Sequence, residues 1–422
     1  MKYLNTEEFA HQTDTRDPLG AYRDKFYFPE HTDGKEAIYL CGNSLGLQPK
    51  SAKLYIEAVL DDWRHLGVKG HFEGDNPFAT YHEALGEQMA RIVGGRKKEV
   101  VAMNSLTVNL HLMMVSFYRP EKERYKILIE KNAFPSDQYA VKSQLEFHAY
   151  DPKDALIELE PRSGEDTLRT EDILELIRNR GAEIALIMIG GLNYYTGQAY
   201  DMQKITQVGH EMGCMVGFDL AHGAGNLDLS LHDWDVDFAV WCTYKYMNSG
   251  PGGISGCFVN ERHHKRKDLD RFAGWWGHEK ATRFLMDENF VPIQGAEGWQ
   301  MSNETVLSMA ALKASLEIFE EVGMTALIEK SRILTGYLEF LIEELRSDRI
   351  HIITPKQADA RGAQLSIRVI NSDKSLFRAI SHKGVIADWR EPDVIRIAPA
   401  PLYNNFSDVF RFVQILREEL GI

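Results

Sequence analysis

The strongest constraint on the fold lies between residues 125 and 242, where short, continuous apolar runs alternate with stretches of helical period. Ile184–Ile189 (IALIMI) is apolar throughout. A strand with one wet face alternates apolar and polar residues, whereas a strand covered on both faces reads as an unbroken apolar run. Tyr125–Glu130, Met215–Asp219 and Val236–Cys242 read the same way. Between them, Thr170–Arg180 sets Ile173, Leu176 and Ile177 on one helical face, with Thr170 as N-cap and Gly181 just past the end. Lys204–Met212 is a shorter helix, and upstream a strand at Glu99–Met103 leads into an apolar helix at Val108–Tyr118. Strands alternating with helices predict a layered α/β domain with a mostly parallel sheet.

The end of the chain has a different texture. Thr305–Glu321 and Thr325–Arg346 are long amphipathic helices, followed by weaker strands at Ile350–Ile353, Ala363–Val369 and Val394–Ile397 and a closing helix at Phe406–Leu420. This pattern predicts a large α/β/α domain over residues 51–302 and a smaller C-terminal α+β domain over 303–422.

Charge and cysteine usage exclude several classes. Lys and Arg number 48 against 62 Asp and Glu, a net charge of −14, which disfavours bulk electrostatic binding to nucleic acid or to an anionic membrane. Cys41, Cys214, Cys242 and Cys257 sit in or beside apolar runs and read as reduced, buried thiols; no CxxC pair is present. His278-Glu279 begins an HExxH pattern, but Thr282 stands where the second histidine is needed, so no metal site is expected. Gly250–Gly256 (GPGGISG) lacks the GxGxxG spacing of a dinucleotide loop. The opening MKYLNTEEFA has no apolar signal core, and no run approaches the ~20 apolar residues of a membrane span, so the cytoplasm is the expected location.

Open parallel sheets bind ligands beyond the carboxyl ends of their strands. Asp219 ends one predicted strand and precedes Leu220-Ala221-His222. A buried carboxylate needs a cation, and a protonated pyridine nitrogen would serve; a cap on the next turn is the commonplace alternative. Lys245 follows another strand and stands before Asn248-Ser249-Gly250-Pro251-Gly252-Gly253. In a crowded pocket desolvation favours a neutral, nucleophilic amine, whereas most single lysines are simply solvated. Asn104-Ser105-Leu106-Thr107 opens a helix, which suits either phosphate binding or ordinary capping. Phe134-Pro135-Ser136-Asp137 places a ring that could stack on a flat cofactor, or a core phenylalanine with a capped helix. Taken together these are a phosphate cradle, a ring stacker, a pyridinium partner and an amine, the set that pyridoxal 5′-phosphate (PLP) requires.

The runs CGNSLGLQP (41–49), FPSD (134–137), YTGQ (195–198), GFDLAH (217–222), HDWDVDFAVWCTYKYMNSGPGG (232–253), GWWGHE (274–279) and IRIAPAPLYNNF (395–406) resemble those of kynureninases, and the resemblance spans nearly the whole chain. It implies a PLP-dependent, fold type I enzyme (the aspartate aminotransferase fold) acting as a homodimer with shared active sites. Residues 1–50 would pack on the small domain and the dimer interface. The implied reaction cleaves L-kynurenine or 3-hydroxy-L-kynurenine hydrolytically to L-alanine and anthranilate or 3-hydroxyanthranilate, in tryptophan degradation and NAD biosynthesis. This is a hydrolase acting on a carbon–carbon bond of a ketone.

The resemblance also implies roles for single residues. Lys245 forms the Schiff base and exchanges the Cα proton, Asp219 meets the pyridine nitrogen, and Tyr244 is a proton relay. Phe134 stacks on the ring; Leu106, Thr107 and Tyr244 surround the phosphate; Pro135, Ser136, Asp137 and His222 match further cofactor-pocket positions. Trp275 and Asn303 match positions that reach the active site across the dimer, Asn303 being able to bond a ring hydroxyl of the substrate. Arg396 matches the arginine that holds the substrate α-carboxylate, a task suited to a bidentate guanidinium. The chain departs from the family where a small hydroxyl residue often precedes YTGQ: here Gly190 has no side chain to offer, which leaves it out of the expected site. His65 and His71 are both candidates for contacting the substrate's aromatic ring.

Overall fold

Alternate residues of a strand point to opposite faces. In the computed structural model, which describes residues 1–286, 288–371 and 374–422, each set meets its own layer of helices. The central sheet has seven strands: β1 (Val100–Ala102), β2 (Lys126–Glu130), β3 (Leu156–Leu159), β4 (Ile184–Gly190), β5 (Met215–Asp219), β6 (Phe238–Trp241) and β7 (Gly256–Val259). From edge to edge they run β1, β7, β6, β5, β4, β2, β3; β7 runs antiparallel to both of its neighbours, and the other pairs are parallel. In β4, Ile187 and Ile189 enter one core while Leu186 and Met188 enter another, and all seven residues are buried. This two-sided burial is the physical content of the unbroken apolar run.

The helices that matter below are α1 (Glu7–Arg16), α2 (Ala52–Leu66), α3 (Tyr81–Val93), α4 (Leu106–Phe117), α5 (Pro135–Phe147), α6 (Thr170–Arg180), α7 (Met202–Glu211), α8 (Val306–Val322), α9 (Met324–Glu344), α10 (Ser375–His382) and α11 (Phe406–Leu420). Leu110, Met113 and Phe117 of α4 and Val141 and Leu145 of α5 cover one face of the sheet. Ile173 and Ile177 of α6, Ile205 and Val208 of α7, and Leu85 and Met89 of α3 cover the other, joined by Met309, Leu312 and Leu316 of α8. A third core lies between α9, α11 and a four-stranded antiparallel sheet of β8 (Ile350–Ile352), β9 (Leu365–Val369), β10 (Asp388–Arg390) and β11 (Val394–Ile397). Ile38–Tyr39 pairs in parallel with Val385–Ile386, fastening the first part of the chain to this second unit.

Several boundaries move from where the sequence puts them. Leu106 and Thr107 are helical, so α4 begins two residues earlier than its apolar pattern indicates. Arg169, not Thr170, is the cap residue of α6. Gly181 is not left-handed, at φ −57°; it is small because a Cβ there would stand 2.5 Å from Met212 Cβ. The short strands β3 and β7 are absent from the sequence reading, β7 because it emerges directly from a glycine-rich turn. Among the described residues, no helix is long and apolar enough to cross a membrane.

Candidate active site

The parallel strands deliver their carboxyl ends to one crevice. Strand β2 ends at Glu130, β4 at Gly190 and β5 at Asp219, while β6 runs on into Cys242-Thr243-Tyr244-Lys245. The pocket there is walled by Leu106, Thr107, Phe134, Ser136, Asp137, Asp219, His222, Tyr244 and Lys245. The structure thus gathers residues spread over 140 positions of sequence, from 106 to 245.

Lys245 is half-buried, its Nζ 3.0 Å from His222 Nε2 and 5.9 Å from the centre of the Phe134 ring. The turn that carries it is clasped by the CGNSLG segment. Gly46 N–H donates to the Tyr244 carbonyl at 2.8 Å, and a Cβ on Gly46 would stand 2.3 Å from the Lys245 carbonyl oxygen, so only glycine permits this approach. Beyond it the chain turns through left-handed conformations at Gly250 and Gly252 (φ 87° and 66°).

The acidic wall needs a cation. Asp219 is buried, and its Oδ1 accepts from the Ala221 N–H at 2.6 Å. Burial pushes its pKa up, against the opposing pull of the Ala221 amide and the Lys245 charge. Burial pushes Asp137 well above the ordinary carboxylate range, and the nearby Asp219 and Glu130 charges push the same way. Asp137 therefore keeps a proton and Asp219 carries the charge. His222 is held neutral: burial, then the Lys245, Arg396 and Arg390 charges, depress its pKa well below the imidazole value. Burial also raises the Tyr244 hydroxyl, which keeps its proton.

Two helix N-termini face the same space. Leu106 and Thr107 lie in the first turn of α4, whose cap residue Ser105 makes no side-chain cap bond. Pro135, Ser136 and Asp137 form the first turn of α5, and Thr107 Oγ1 lies 2.7 Å from Ser136 Oγ. Paired first-turn amides with hydroxyls suit a phosphate. Asp137 Oδ1 and His222 Nδ1 are buried with no hydrogen-bond partner among the described residues. Orphaned buried atoms of this kind, beside an amine, a half-exposed phenyl ring and an anion cradle, fit PLP.

Other expected residues lie outside this wall. Pro135 starts α5 at its first position without lining the pocket. Arg396, on β11, is 1% exposed; Nη1 donates to the Tyr194 carbonyl at 2.8 Å, Nη2 to Ser44 Oγ at 3.2 Å, and its charge meets Asp388 on the neighbouring strand. Its Nε has no partner among the described residues, and Tyr194 joins it to the pocket edge. Trp275 is 49% exposed, its Nε1 donating to the Arg283 carbonyl at 3.0 Å, and Asn303 is exposed. His65 is exposed near Asp61, and His71 packs edge-on against Phe78. The pocket is also lined by Glu130, Leu192, Tyr194 and Cys242, which the sequence did not point to as site residues, and by Gly190, which the missing side chain had left out of the expected site. Gly190 contributes through its backbone, the N–H donating to Glu130. Glu130 carries the same signature as Asp219, a carboxylate closing an apolar run, and could have been found by it.

A kynureninase from Koribacter versatilis is 58% identical over 409 residues, covering 97% of this chain and 96% of that one. One from Myxococcus xanthus is 58% identical over 414 residues (98% and 97% covered), and one from Christiangramia forsetii 53% over 421 (99% of each). The chain belongs to the kynureninase family. Residues 327–416 also match a family model described as the kynureninase C-terminal domain. Among solved structures, cysteine desulfurases from Thermococcus onnurineus and Escherichia coli share the kynureninase-family fold here with a TM-score of 0.75, at 16% and 17% identity, covering 92% and 96% of this chain and 95% and 98% of theirs. The architecture is that of PLP-dependent enzymes of fold type I. Desulfurase chemistry needs a reactive thiolate. Burial pushes Cys41 and Cys214 each up to about 11 and raises Cys242 and Cys257, so the thiols of this kynureninase-family chain stay protonated.

Proposed function

We propose that the Lys245 crevice is where this chain performs the kynureninase reaction, the PLP-dependent hydrolysis of L-kynurenine or 3-hydroxy-L-kynurenine to L-alanine and the corresponding anthranilate. The observation that carries this reading is the Lys245 amine 3.0 Å from a neutral His222, in one pocket with Asp219 and Phe134. When bound, PLP supplies a carbonyl for the amine and a ring that takes up electrons from the substrate Cα.

The chain's own residues would do the rest. Asp219 holds a proton on the ring nitrogen by charge. Phe134 covers the ring, and Leu106, Thr107 and Ser136 cradle the phosphate, with Tyr244 beside it. His222 and Asp137 bond through their free atoms. Lys245, displaced by the substrate amine, moves the Cα proton. Tyr244 keeps a hydroxyl proton to give. Arg396 grips the α-carboxylate, with Nε still free for a second bond.

The same reading includes a homodimer in which Trp275 and Asn303 complete the partner's pocket. Trp275, Phe284 and Phe72 form an exposed aromatic cluster, with ring centres 5.4 Å apart at each step, of the kind that association buries. A cytoplasmic location, a place in tryptophan degradation or NAD biosynthesis, an N-terminal segment over 1–50 and domains at 51–302 and 303–422 belong to the proposal. The test is an absorbance spectrum of the purified protein followed by addition of kynurenine. A visible cofactor band and fluorescent anthranilate are expected; a colourless protein that releases no anthranilate overturns the assignment.

A further inference from the structure

The pocket holds a third carboxyl that the reaction scheme leaves unused. Glu130 closes β2 and is 4% exposed. Both of its oxygens lie 3.2 Å from Gly190 N. A Cβ at position 190 would stand 3.0 Å from Glu130 Oε1, so the bare glycine is what lets the carboxyl lie against the end of β4. Gly190 in turn pairs in register with Asp219.

Glu130 also borders a second cavity, of about 500 Å³, on the other side of Tyr194. Glu130 and Tyr194 line both spaces. On the cofactor side it is faced by Asp219 from β5, Asp137 from α5, and Lys245 and His222 from the turns beyond the strands. Tyr200, Lys131, Glu165, Asp166, Arg368 and Glu391 are the titratable groups on the other side, together with Tyr194 and Tyr195.

Three carboxyls around one cation cannot all ionise in a dry pocket. Asp219 is the member best placed to stay charged, since it has the Ala221 amide and Lys245. Glu130 has only backbone donors, its own N–H and that of Gly190. Resting on the PLP reading above, we propose that Glu130 is a positioning residue that holds a proton while Asp219 is charged, and exchanges it with water in the second cavity. Burial, with the Asp219 charge adding to it, pushes Glu130 up to about 7. The electrostatic environment of the ring nitrogen is then set by two proton-bearing carboxyls, one of which releases its proton near neutrality.

The experiment is a pH titration of the cofactor band in PLP-loaded wild type and Glu130→Gln, which keeps the shape and cannot ionise. Wild type is expected to show a step near pH 7 that the variant lacks, displacing the band's apparent midpoint by about one pH unit. As a second measurement that leaves Glu130 in place, infrared difference spectra of protein carrying 13C-labelled glutamate and Glu304→Gln, which removes the other glutamate that burial raises to about 7, are expected to show a protonated carboxyl that titrates near pH 7 in both apo and loaded protein. A normal cofactor band with the same titration in Glu130→Gln, or no such carboxyl in the infrared spectrum, overturns this proposal alone. Absence of any cofactor band in the wild type overturns it together with the PLP reading.

Discussion

Replacing Lys245 with Ala removes the only amine among the described residues of the pocket wall while leaving the acidic wall, the ring stacker and the cradle in place. The expected outcome is loss of the visible lysine–cofactor band and a fall in kcat of about 10³-fold or more, read by absorbance and steady-state kinetics. Arg396 gives a different signature. An ammonium cannot reproduce a fork that serves the Tyr194 carbonyl, Ser44 and Asp388 and still leaves Nε for a substrate. Arg396→Lys is expected to raise KM for kynurenine about tenfold or more, with a smaller change in kcat; an unchanged KM removes Arg396 from substrate binding. At this scale the sequence was informative for residues with a distinctive side chain at a strand end, such as Asp219 and Lys245, which the fold brings into one pocket. It left Gly190 out of the site, because that position contributes through its backbone, and it gave Arg396 only through the family resemblance, since the groups that hold its side chain, Ser44 and the Tyr194 carbonyl, lie 352 and 202 positions away.

The elements are held in place by buried polar joints as well as by apolar faces. Asp237, just before β6, accepts from the Val216 N–H at 2.7 Å and lies 2.9 Å from His210 Nε2 and 2.7 Å from His263 Nε2, with Arg262 against it. One side chain therefore ties β5, β6, α7 and the segment after β7. Burial pushes its pKa up, but the two imidazole contacts and the Arg262 charge outweigh this and hold it well below the carboxylate range. A depressed pKa contributes stability that is present above the unfolded value, about 4, and is lost as pH falls below it. Asp237→Asn is expected to lower stability at pH 7 by about 3–5 kcal/mol and to flatten the acid limb below pH 4, measured by denaturant melts across pH. Element types were legible because two-sided burial and helical period leave opposite traces in sequence. Their ends were not: α4 starts two residues early because the loop residues Leu106 and Thr107 are recruited into its first turn, and Gly181 answers to Met212 rather than to local backbone geometry.

For the molecule as a whole, the alternation of strands and helices was enough to anticipate the layered α/β sheet, whereas several strands of two to four residues, among them Ile38–Tyr39, β3, β7 and β10, were not visible, being too short to have a period of their own. Association is the property that a single chain cannot express. If Trp275 and Asn303 serve the partner's pocket, a Lys245→Ala chain mixed with an Asn303→Ala chain forms hybrid dimers with one site free of both substitutions. With 3-hydroxy-L-kynurenine as substrate, co-expression is expected to give activity above that of either variant alone, up to about a quarter of the wild-type sites being intact; no gain in a mixed dimer population argues for sites made within one chain.

The pairing of Ile38–Tyr39 with Val385–Ile386 and of Val100–Ala102 with Gly256–Phe258 has a consequence in time. A strand made early in synthesis waits for a partner far downstream, and contacts so distant along the chain close slowly. The edge of the central sheet stays open until residue 258 has left the ribosome, and the clasp of the first part of the chain until residue 386 has. Until then the apolar faces around them are the nascent chain's points of vulnerability to aggregation, so expression yield should respond more sharply to chaperone supply than the stability of the finished protein does.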